Sequence, residues 1–398
     1  MKPDTRCGLC CAECAYLESH LCGGCVATQG QPFHGACPVA ACCQERELVH
    51  CGQCEQMPCQ LLQSYTADPV HGDTPAGARL ERCRAWASEG VLTRYDQGRV
   101  RAFLYRYARP LDMARYRYFF EGGDAGAVLE ALAAYQNTDG GFAHGLEADL
   151  WSPHSNPATA SEAVAILESL GVWRAEDDLT RGLLRYLGNT VSETGEWPFC
   201  VPENNAHPHA PWWHWQEGMT SPINPTAVLA GWALNAADPN SALYERALRT
   251  AQRLAERLLT APSADMHNLF CLESLLDALE RAPAGALFDL PALRAHLTAA
   301  QVDAVLRDQD NWDGYCMMPT DVAASPEHPT YSALRELVDR DLERMLDTLQ
   351  PDGGWEISWR WNAYPEDFAR AQVHGRVHVT LDHLLKLRAF GRMQEVTV

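Results

Sequence analysis

Two stretches carry the same turn, Q-N-T-D-G-G-F at 136–142 and Q-P-D-G-G-W at 350–355. Related segments read S-E-T-G-E-W at 192–197 and Q-D-N-W-D-G-Y at 309–315. We expect the glycines to end a helix in a left-handed cap and the aromatic residue to pack back on the turn. Recurrence of one helix-ending signal predicts stacked helical units with a period of about 40 to 60 residues.

The segments around these turns have helical periodicity. Apolar residues recur three or four positions apart, as in 163–170, 244–258 and 381–385, and no alternating strand pattern competes. The sequence therefore predicts an all-α fold. The predicted helices are about 98–118, 124–136, 157–170, 178–189, 224–237, 241–258, 266–281, 291–308, 331–349 and 376–390, with one short or irregular element between 200 and 220.

A helix-start signal also repeats, as S-P-H-S-N-P-A-T-A at 152–160 and S-P-I-N-P-T-A at 221–227. Asn156 and Asn224 are the predicted N-caps, each followed by proline at the first helical position. The segment 227–234 is apolar nearly all round, which is typical of an inner helix screened by an outer one. Alternating inner and outer helices predict an (α/α) toroid of five to six hairpins, with a linear solenoid as the alternative.

The N-terminal part is a different module. Thirteen of the sixteen cysteines lie between Cys7 and Cys83. We therefore divide the chain into a small irregular Cys-rich domain, 1–90, and a helical domain, 91–398. The CxxC pairs beginning at Cys22 and Cys51 suit a tetrahedral metal site. A disulfide framework is the alternative, although adjacent cysteines and the lack of a secretion signal oppose it.

Ten cysteines are the candidate metal ligands, enough for two closed zinc sites, and their pairing stays open. An iron–sulfur cluster is the less favoured cofactor, because the ferredoxin spacing is not intact. His20, His34 and His50 are possible substitutes for a thiolate. The ten cysteines are Cys7, Cys11, Cys14, Cys22, Cys25, Cys37, Cys42, Cys51, Cys54 and Cys59.

The cysteine order from Cys7 to about Trp86 resembles a widespread prokaryotic cysteine-rich family of unknown function, with Cys10 and Cys43 as extras. That resemblance implies a bound metal and no particular activity. The Q-x-x-D-G-G-(F/W) turns resemble those of the terpenoid cyclase and protein prenyltransferase superfamily, over about residues 100–392. This second resemblance implies an α/α barrel. The chain also resembles uncharacterised bacterial toroid proteins with HGLE-x-D, APWW, NPTA and QPDGGW segments.

The superfamily's known catalytic motifs are missing or weak. The D-x-D-D acid of class II cyclases does not occur, and A-E-D-D at 175–178 is a poor substitute. The zinc site of prenyltransferases would map weakly onto Asp313, Cys316 and His378. Whether the chain is an enzyme of cyclase, transferase or isomerase type is therefore left open by its motifs.

Three loops carry candidate site residues. In H-G-L-E-A-D-L-W at 144–151, Glu147 and Asp149 with His144 are the candidate acid–base groups, or else merely cap neighbouring helices. The other two loops, H-P-H-A-P-W-W-H-W at 207–215 and W-E-I-S-W-R-W-N at 355–362, supply aromatic faces for a ligand or simply pack. The candidate ligand-binding residues are Trp212, Trp213, Trp215, Asn224, Trp359, His374 and Arg376.

The charge balance limits the partners. The net charge is −20, and residues 1–90 hold six basic against ten acidic side chains, which disfavours nucleic acid. No window approaches the ~20 apolar residues of a membrane span, and we expect a cytoplasmic protein. The leading prediction is an enzyme or ligand-binding protein for an apolar, isoprenoid-like or carbohydrate-like small molecule. The alternatives are an interaction scaffold whose zinc module docks a protein partner, and a redox protein with an iron–sulfur cluster.

Overall fold

The computed structural model describes residues 5–11, 14, 16–46, 48–54, 56–88, 90–262 and 265–394. Within these ranges the chain is helical and contains no strand, which confirms the all-α prediction. The chain divides into two compact units, Met1–Arg94 with Arg392–Val398, and Tyr95–Gly391. In the described ranges, no helix combines the length and the apolar character that crossing a bilayer requires.

The first unit is small and rich in turns. Its core consists of Val39, Ala40 and Leu62 together with buried cysteines. A backbone bridge between Leu92 and Met393 joins its two chain segments. Its helices are α1 (Tyr16–Ser19), α2 (Pro38–Glu45), α3 (Gln60–Thr66) and α4 (Ala78–Ser88), with a 3₁₀ turn at Cys51–Gln53.

The second unit is built from longer helices. They are α5 (Arg94–Tyr107), α6 (Pro110–Phe120), α7 (Ala125–Ala133), α8 (Pro157–Ser169), α9 (Asp178–Thr190), α10 (Thr226–Ala236), α11 (Ala242–Thr260), α12 (Met266–Arg281), α13 (Leu290–Asp308), α14 (Pro319–Val322), α15 (Tyr331–Asp347) and α16 (Pro365–Ala389). Two 3₁₀ turns, Pro202–Ala206 and Pro211–Trp213, occupy the region expected to be irregular. Helix α10 is buried from Thr226 to Leu234 and packs against α8, α11 and α12, as expected of an inner helix.

Several predicted boundaries are wrong. The single helix expected over 98–118 is two helices, because the chain leaves α5 at Ala108 and restarts with Pro110 at the first turn of α6. Helix α16 begins at Pro365, well before the expected residue 376. Asn156 caps α8 as predicted, its side chain accepting from the Ala158 N–H at 2.9 Å. Asn224 does not cap α10, whose N-cap is Pro225.

Three of the four repeated turns place a glycine directly against a neighbouring helix. A Cβ on Gly140 would lie 2.0 Å from the Gly182 carbonyl oxygen of α9. A Cβ on Gly195 would lie 2.3 Å from the Thr250 hydroxyl of α11. After each turn the aromatic residue, Phe142 or Trp197, is buried as expected. The turn at 309–315 differs, because its Tyr315 is 56% exposed.

The last turn uses the same contact but packs on the first helix of the unit. A Cβ on Gly353 would lie 2.3 Å from the Arg99 carbonyl oxygen of α5. The Arg99 guanidinium in turn donates to the Gln350 and Pro351 carbonyl oxygens. Helix α16 also packs on α6. The two ends of the second unit therefore meet.

We expect Gly353→Ala to lower the free energy of unfolding by about 3 kcal/mol or more. Gly353 has φ +95°, and the added methyl group would overlap the α5 backbone. Gly171→Ala is the matched control, because Gly171 has φ +73° but open space around its Cβ position. The control variant should lose only about 1–2 kcal/mol in urea denaturation. Equal losses in the two variants would show that the close approach to α5 is unimportant.

Candidate functional site

Two of the candidate loops lie side by side. The Trp151 N–H donates to the Pro208 carbonyl at 3.0 Å, and the Ala210 N–H donates to the Asp149 carbonyl at 2.9 Å. Leu150 and His209 form an antiparallel bridge between the same segments. The backbone pairing fixes the position of the 144–151 loop, which carries the candidate acid–base residues.

Glu147 and Asp149 are enclosed carboxyl groups in this loop. Burial, followed by the charges of Glu162 and Asp149, raises the pKa of Glu147 to about 8. Burial also raises the pKa of Asp149 to about 6, although the Trp361 indole opposes this by donating to Asp149 Oδ1 at 2.9 Å. Trp359 lowers the Asp149 pKa further, but its Nε1 makes no hydrogen bond of good geometry.

The contacts of His144 are with the first glycine turn and not with Glu147 or Asp149. Its side chain is exposed, and its Nε2 lies 2.9 Å from the Asn137 amide oxygen of the first glycine turn. Its backbone is left-handed, with φ +62°. These contacts give His144 a role in holding the turn.

A polar stripe on α16 faces the same region. His374, His378, Asp382 and Lys386 recur every four residues, so they share one face of the helix. Lys386 Nζ lies 2.6 Å from Asp382 and pairs also with Asp321, although its side chain is only 10% exposed. Within the stripe Lys386 is buried, whereas His378 is exposed.

Helix α6 and its N-cap residue contribute charged side chains of both signs. Arg109, its N-cap residue, binds Asp112 through two hydrogen bonds of 2.7 and 3.2 Å. Burial works to raise the pKa of Asp112, but Arg109 outweighs it and holds this pKa below its usual value. Arg115 lies one turn further along and within electrostatic range of Asp112 and Glu162.

From the exposure of these charged groups we infer that they border a solvent-accessible recess. The Asp382 side chain is 43% exposed to solvent, although the charges of Lys386, His383 and His378 act on it. Glu147 and Arg115 are likewise partly exposed, and charged neighbours act on both. Partly exposed groups with several charged neighbours are typical of a cleft or cavity. We call the set Arg109, Asp112, Arg115, Glu147, Glu162 and Asp382 the inner charged cluster.

The tryptophans of the 207–215 loop have different environments. Trp213 stacks on Phe199 with ring centroids 4.9 Å apart and packs on a small core around Ala210 and Trp361. Trp212 is 40% exposed. Trp215 is half-buried, and its backbone pairs with the Asn205 side chain. Trp213 therefore packs between the loops, and Trp212 presents the most open ring of the three.

Three further ligand candidates, His374, Trp359 and Asn224, are partly buried. His374 stacks on Trp151 with parallel rings 5.8 Å apart, and burial together with the nearby Arg109 lowers its pKa. Trp359 is half-buried and meets Tyr315 edge to face at 5.9 Å. Asn224 is half-buried beside the start of α10.

Arg376 is engaged in internal contacts. Its guanidinium donates to both Asp352 oxygens at 2.9 Å and lies 4.9 Å from the Phe103 ring centroid. It also pairs with Glu356 at 3.2 Å. These contacts fasten the last glycine turn to α16, so Arg376 has little capacity left for a ligand.

The cysteines of the first unit are free thiols that approach one another in groups. Cys43 and Cys51 have Sγ atoms 3.6 Å apart. Two thiolates on one tetrahedral zinc lie ~3.8 Å apart, given Zn–S bonds of about 2.3 Å. A narrow recess beside them is lined by further thiols, those of Cys42, Cys54 and Cys59. The sulfur of Cys51 thus lies close to that of Cys43, which is an extra in the sequence pattern.

A second group of thiols lies near Cys7, which is within electrostatic range of Cys25 and Cys37. Cys83, fully buried, lies near Cys7 and Cys43, and burial raises its pKa to about 12. Among the described residues, no three His, Cys, Asp or Glu side chains converge closely enough to hold a metal ion. Two sulfurs therefore fit a zinc site, whereas the remaining ligands are not drawn together.

Sequence reasoning missed most of the inner charged cluster. Arg109, Asp112 and Arg115 lie far along the chain from the candidate loops. The four-residue spacing of charged and histidine side chains on α16 was a signal, but only the tertiary fold shows which face it occupies. Comparison with known proteins adds no assignment, since no protein-family model and no curated protein matches the chain.

We expect Trp361→Phe to raise the pKa of Asp149 above about 6, because the variant loses the indole donor that stabilises the carboxylate. The effect should be about one unit, as measured by carbon-13 NMR titration of the side-chain carboxyls. Trp212→Phe, at an exposed ring, is the control and should leave this pKa unchanged. A pKa that stays in place in Trp361→Phe would contradict the assigned hydrogen bond.

Proposed function

We propose that the second unit is a closed (α/α) toroid of helical hairpins. The observation that supports closure is the repeated glycine contact, since the turns at Gly140 and Gly195 each pack on a neighbouring helix, while the turn at Gly353 packs on α5. The packing of α16 on α6 supports the same proposal. A linear solenoid would leave these terminal helices apart.

We further propose that the toroid is an acid–base enzyme acting on a carbohydrate-like, hydroxylated small molecule. The observation that carries this proposal is the pair Glu147 and Asp149, two enclosed carboxyl groups whose pKa values are raised to about 8 and about 6. Neighbouring carboxyl groups with separated pKa values are the usual arrangement of a general acid and a general base. In this proposal Glu147 donates a proton and Asp149, held by Trp361, accepts one.

The surroundings favour a hydroxylated ligand over an isoprenoid. An isoprenoid would have to displace water from Arg115, Glu162 and Asp382 without replacing their hydrogen bonds, which costs several kcal/mol. Hydroxyl groups can donate to the carboxylates and accept from the guanidinium. Aromatic faces near the recess, including Trp151 and Trp359, suit the apolar face of a sugar ring.

Activity should follow a bell-shaped pH profile. Below about pH 6 the proposed base Asp149 becomes protonated, and above about pH 8 the proposed acid Glu147 loses its proton. The rate should therefore be greatest near neutral pH and fall on both sides. The measurement is the release or isomerisation of sugar from a panel of neutral glycosides at several pH values.

Glu147→Gln should reduce kcat roughly 100-fold or more in the same assay. Glu168→Gln is the matched control, because burial raises the pKa of Glu168 to about 7 at a site where Ser274 binds it. The control enzyme should keep its activity. Equal activity in Glu147→Gln and the wild type would reject Glu147 as the acid.

We propose that the first unit binds zinc through its thiols, and that the metal has a structural role. The 3.6 Å separation of Cys43 and Cys51 supports this, with Cys42, Cys54 and Cys59 as the nearest further ligands. Bound zinc would hold the thiolates together and stabilise a unit with a small apolar core. The free thiols also suit a reducing compartment such as the cytoplasm.

Protein purified without oxygen should contain zinc and show no visible absorption. Cys51→Ser should lose zinc and lower the unfolding temperature of the first unit, because a ligand is missing. Cys200→Ser, a buried thiol of the second unit, should keep the metal. Iron with visible absorption would instead support an iron–sulfur cluster.

A further inference from the structure

Arg115 is the one member of the inner charged cluster whose guanidinium is poorly satisfied. It is deeply enclosed, and its Nε is buried without a hydrogen-bond partner. The described part of the chain contains no hydrogen bond or ion pair from this side chain. Its two terminal nitrogens are not among the buried atoms, and they bind no protein acceptor in the described ranges, so they are donors that a ligand can reach. The site therefore has a donor that a ligand can satisfy.

The acidic neighbours of Arg115 are already engaged, with one exception. Asp112 is bound by Arg109, and Asp382 is bound by Lys386 at 2.6 Å. Glu162 of α8 is half-buried and makes neither a hydrogen bond nor an ion pair in the described ranges. The charges of Arg115 and Glu162 act on each other, and the two side chains form no ion pair in the described ranges. A donor and an acceptor thus lie in one region of the unit, and neither has a hydrogen-bond partner among the described residues.

The charge balance around the recess opposes an anionic ligand. Arg109 is neutralised by Asp112, and Lys386 is shared by Asp321 and Asp382. An added anion would meet Arg115 but also the unpaired Glu162 and the excess negative charge beside Lys386. A neutral ligand avoids this repulsion. Two adjacent hydroxyl groups can accept from Arg115 and donate to Glu162 at the same time.

We propose that Arg115 and Glu162 form a recognition pair for neighbouring hydroxyl groups of a neutral sugar. This inference rests on the proposed function and names the residues that select its substrate. Arg115 donates to the hydroxyl oxygens, and Glu162 accepts their protons. Glu147, in the adjacent loop, is then positioned beside the bound ring. Replacing either residue removes hydrogen bonds to the sugar and leaves the charge of the other residue without an opposite charge nearby.

The test is a binding titration of the full chain with D-glucose, D-galactose, D-mannose and D-glucuronate. Binding is measured by calorimetry and by tryptophan fluorescence. At least one neutral sugar should bind the wild type. Its affinity should fall tenfold or more in both Arg115→Met and Glu162→Gln. Arg117→Met is the matched control, because Arg117 lies on the same helix with an exposed side chain, and it should bind as the wild type does.

Circular dichroism and the unfolding temperature of each variant separate lost binding from lost folding. If Arg115→Met does not fold, Arg115→Lys retains the charge but not the paired donors, and it should fold and bind several-fold more weakly. Unchanged affinity in the folded Arg115 and Glu162 variants would overturn the proposal. The proposal would also be overturned if glucuronate bound and the neutral sugars did not, or if none of the four sugars bound.

The outcome is separable from that of the proposed function, because binding is measured without turnover. Glu147→Gln should still bind sugar, since Glu147 is not part of the recognition pair. Binding that depends on Arg115, in a protein without activity on any glycoside, would overturn only the acid–base proposal. Activity with binding that is independent of Arg115 and Glu162 would overturn only the recognition pair.

Discussion

The structure of the second unit depends on the close approach between a glycine turn and the backbone of another helix. At Gly353 no side chain larger than hydrogen fits, because the Arg99 carbonyl occupies the space where a Cβ would lie. The same geometry recurs at Gly140 against α9. Because the turn is short and rigid, it fixes both the spacing and the direction of the helix that it touches.

The turn at 350–355 also connects the scaffold to the site. Trp355 fills the core behind the turn, donating through its indole to the Met345 carbonyl at 2.7 Å. Arg376, on α16, binds Asp352 of the turn. Because α16 is anchored at this point, its stripe of His374 to Lys386 has a fixed rotation about the helix axis. A rotation of one residue, about 100°, would remove these groups from the recess.

The helical class and the repeated turns were predictable because their signals are local. Glycine, a preceding asparagine or proline, and apolar periodicity act within a few residues. The proline at 110 was also a local signal, but the apolar pattern running through it suggested one helix. The start of α16 was missed although Pro365 and two acidic residues, Glu366 and Asp367, follow the usual helix-start pattern.

The site was less accessible to sequence reasoning. Glu147 and Asp149 could be singled out because two carboxylates and aromatic residues occur close together in the chain. Arg115 and Glu162 could not, because their significance comes from missing partners, which only the packed structure reveals. Cys43 could not be singled out either, because the cysteine spacing placed it outside the ligand pattern. Its position on α2, rather than its spacing, brings its sulfur to Cys51.

The energetics of the recess bear on the alternative of a passive scaffold. An enclosed lysine shared by two aspartates, and an enclosed arginine without a partner, cost folding free energy that apolar residues of similar size would not. A scaffold needs only shape, and an aliphatic interior supplies shape at lower cost. Functional sites are where proteins commonly retain such unfavourable groups. The charged groups around Arg115 and Lys386 therefore support the proposed ligand-binding role over that of a passive scaffold.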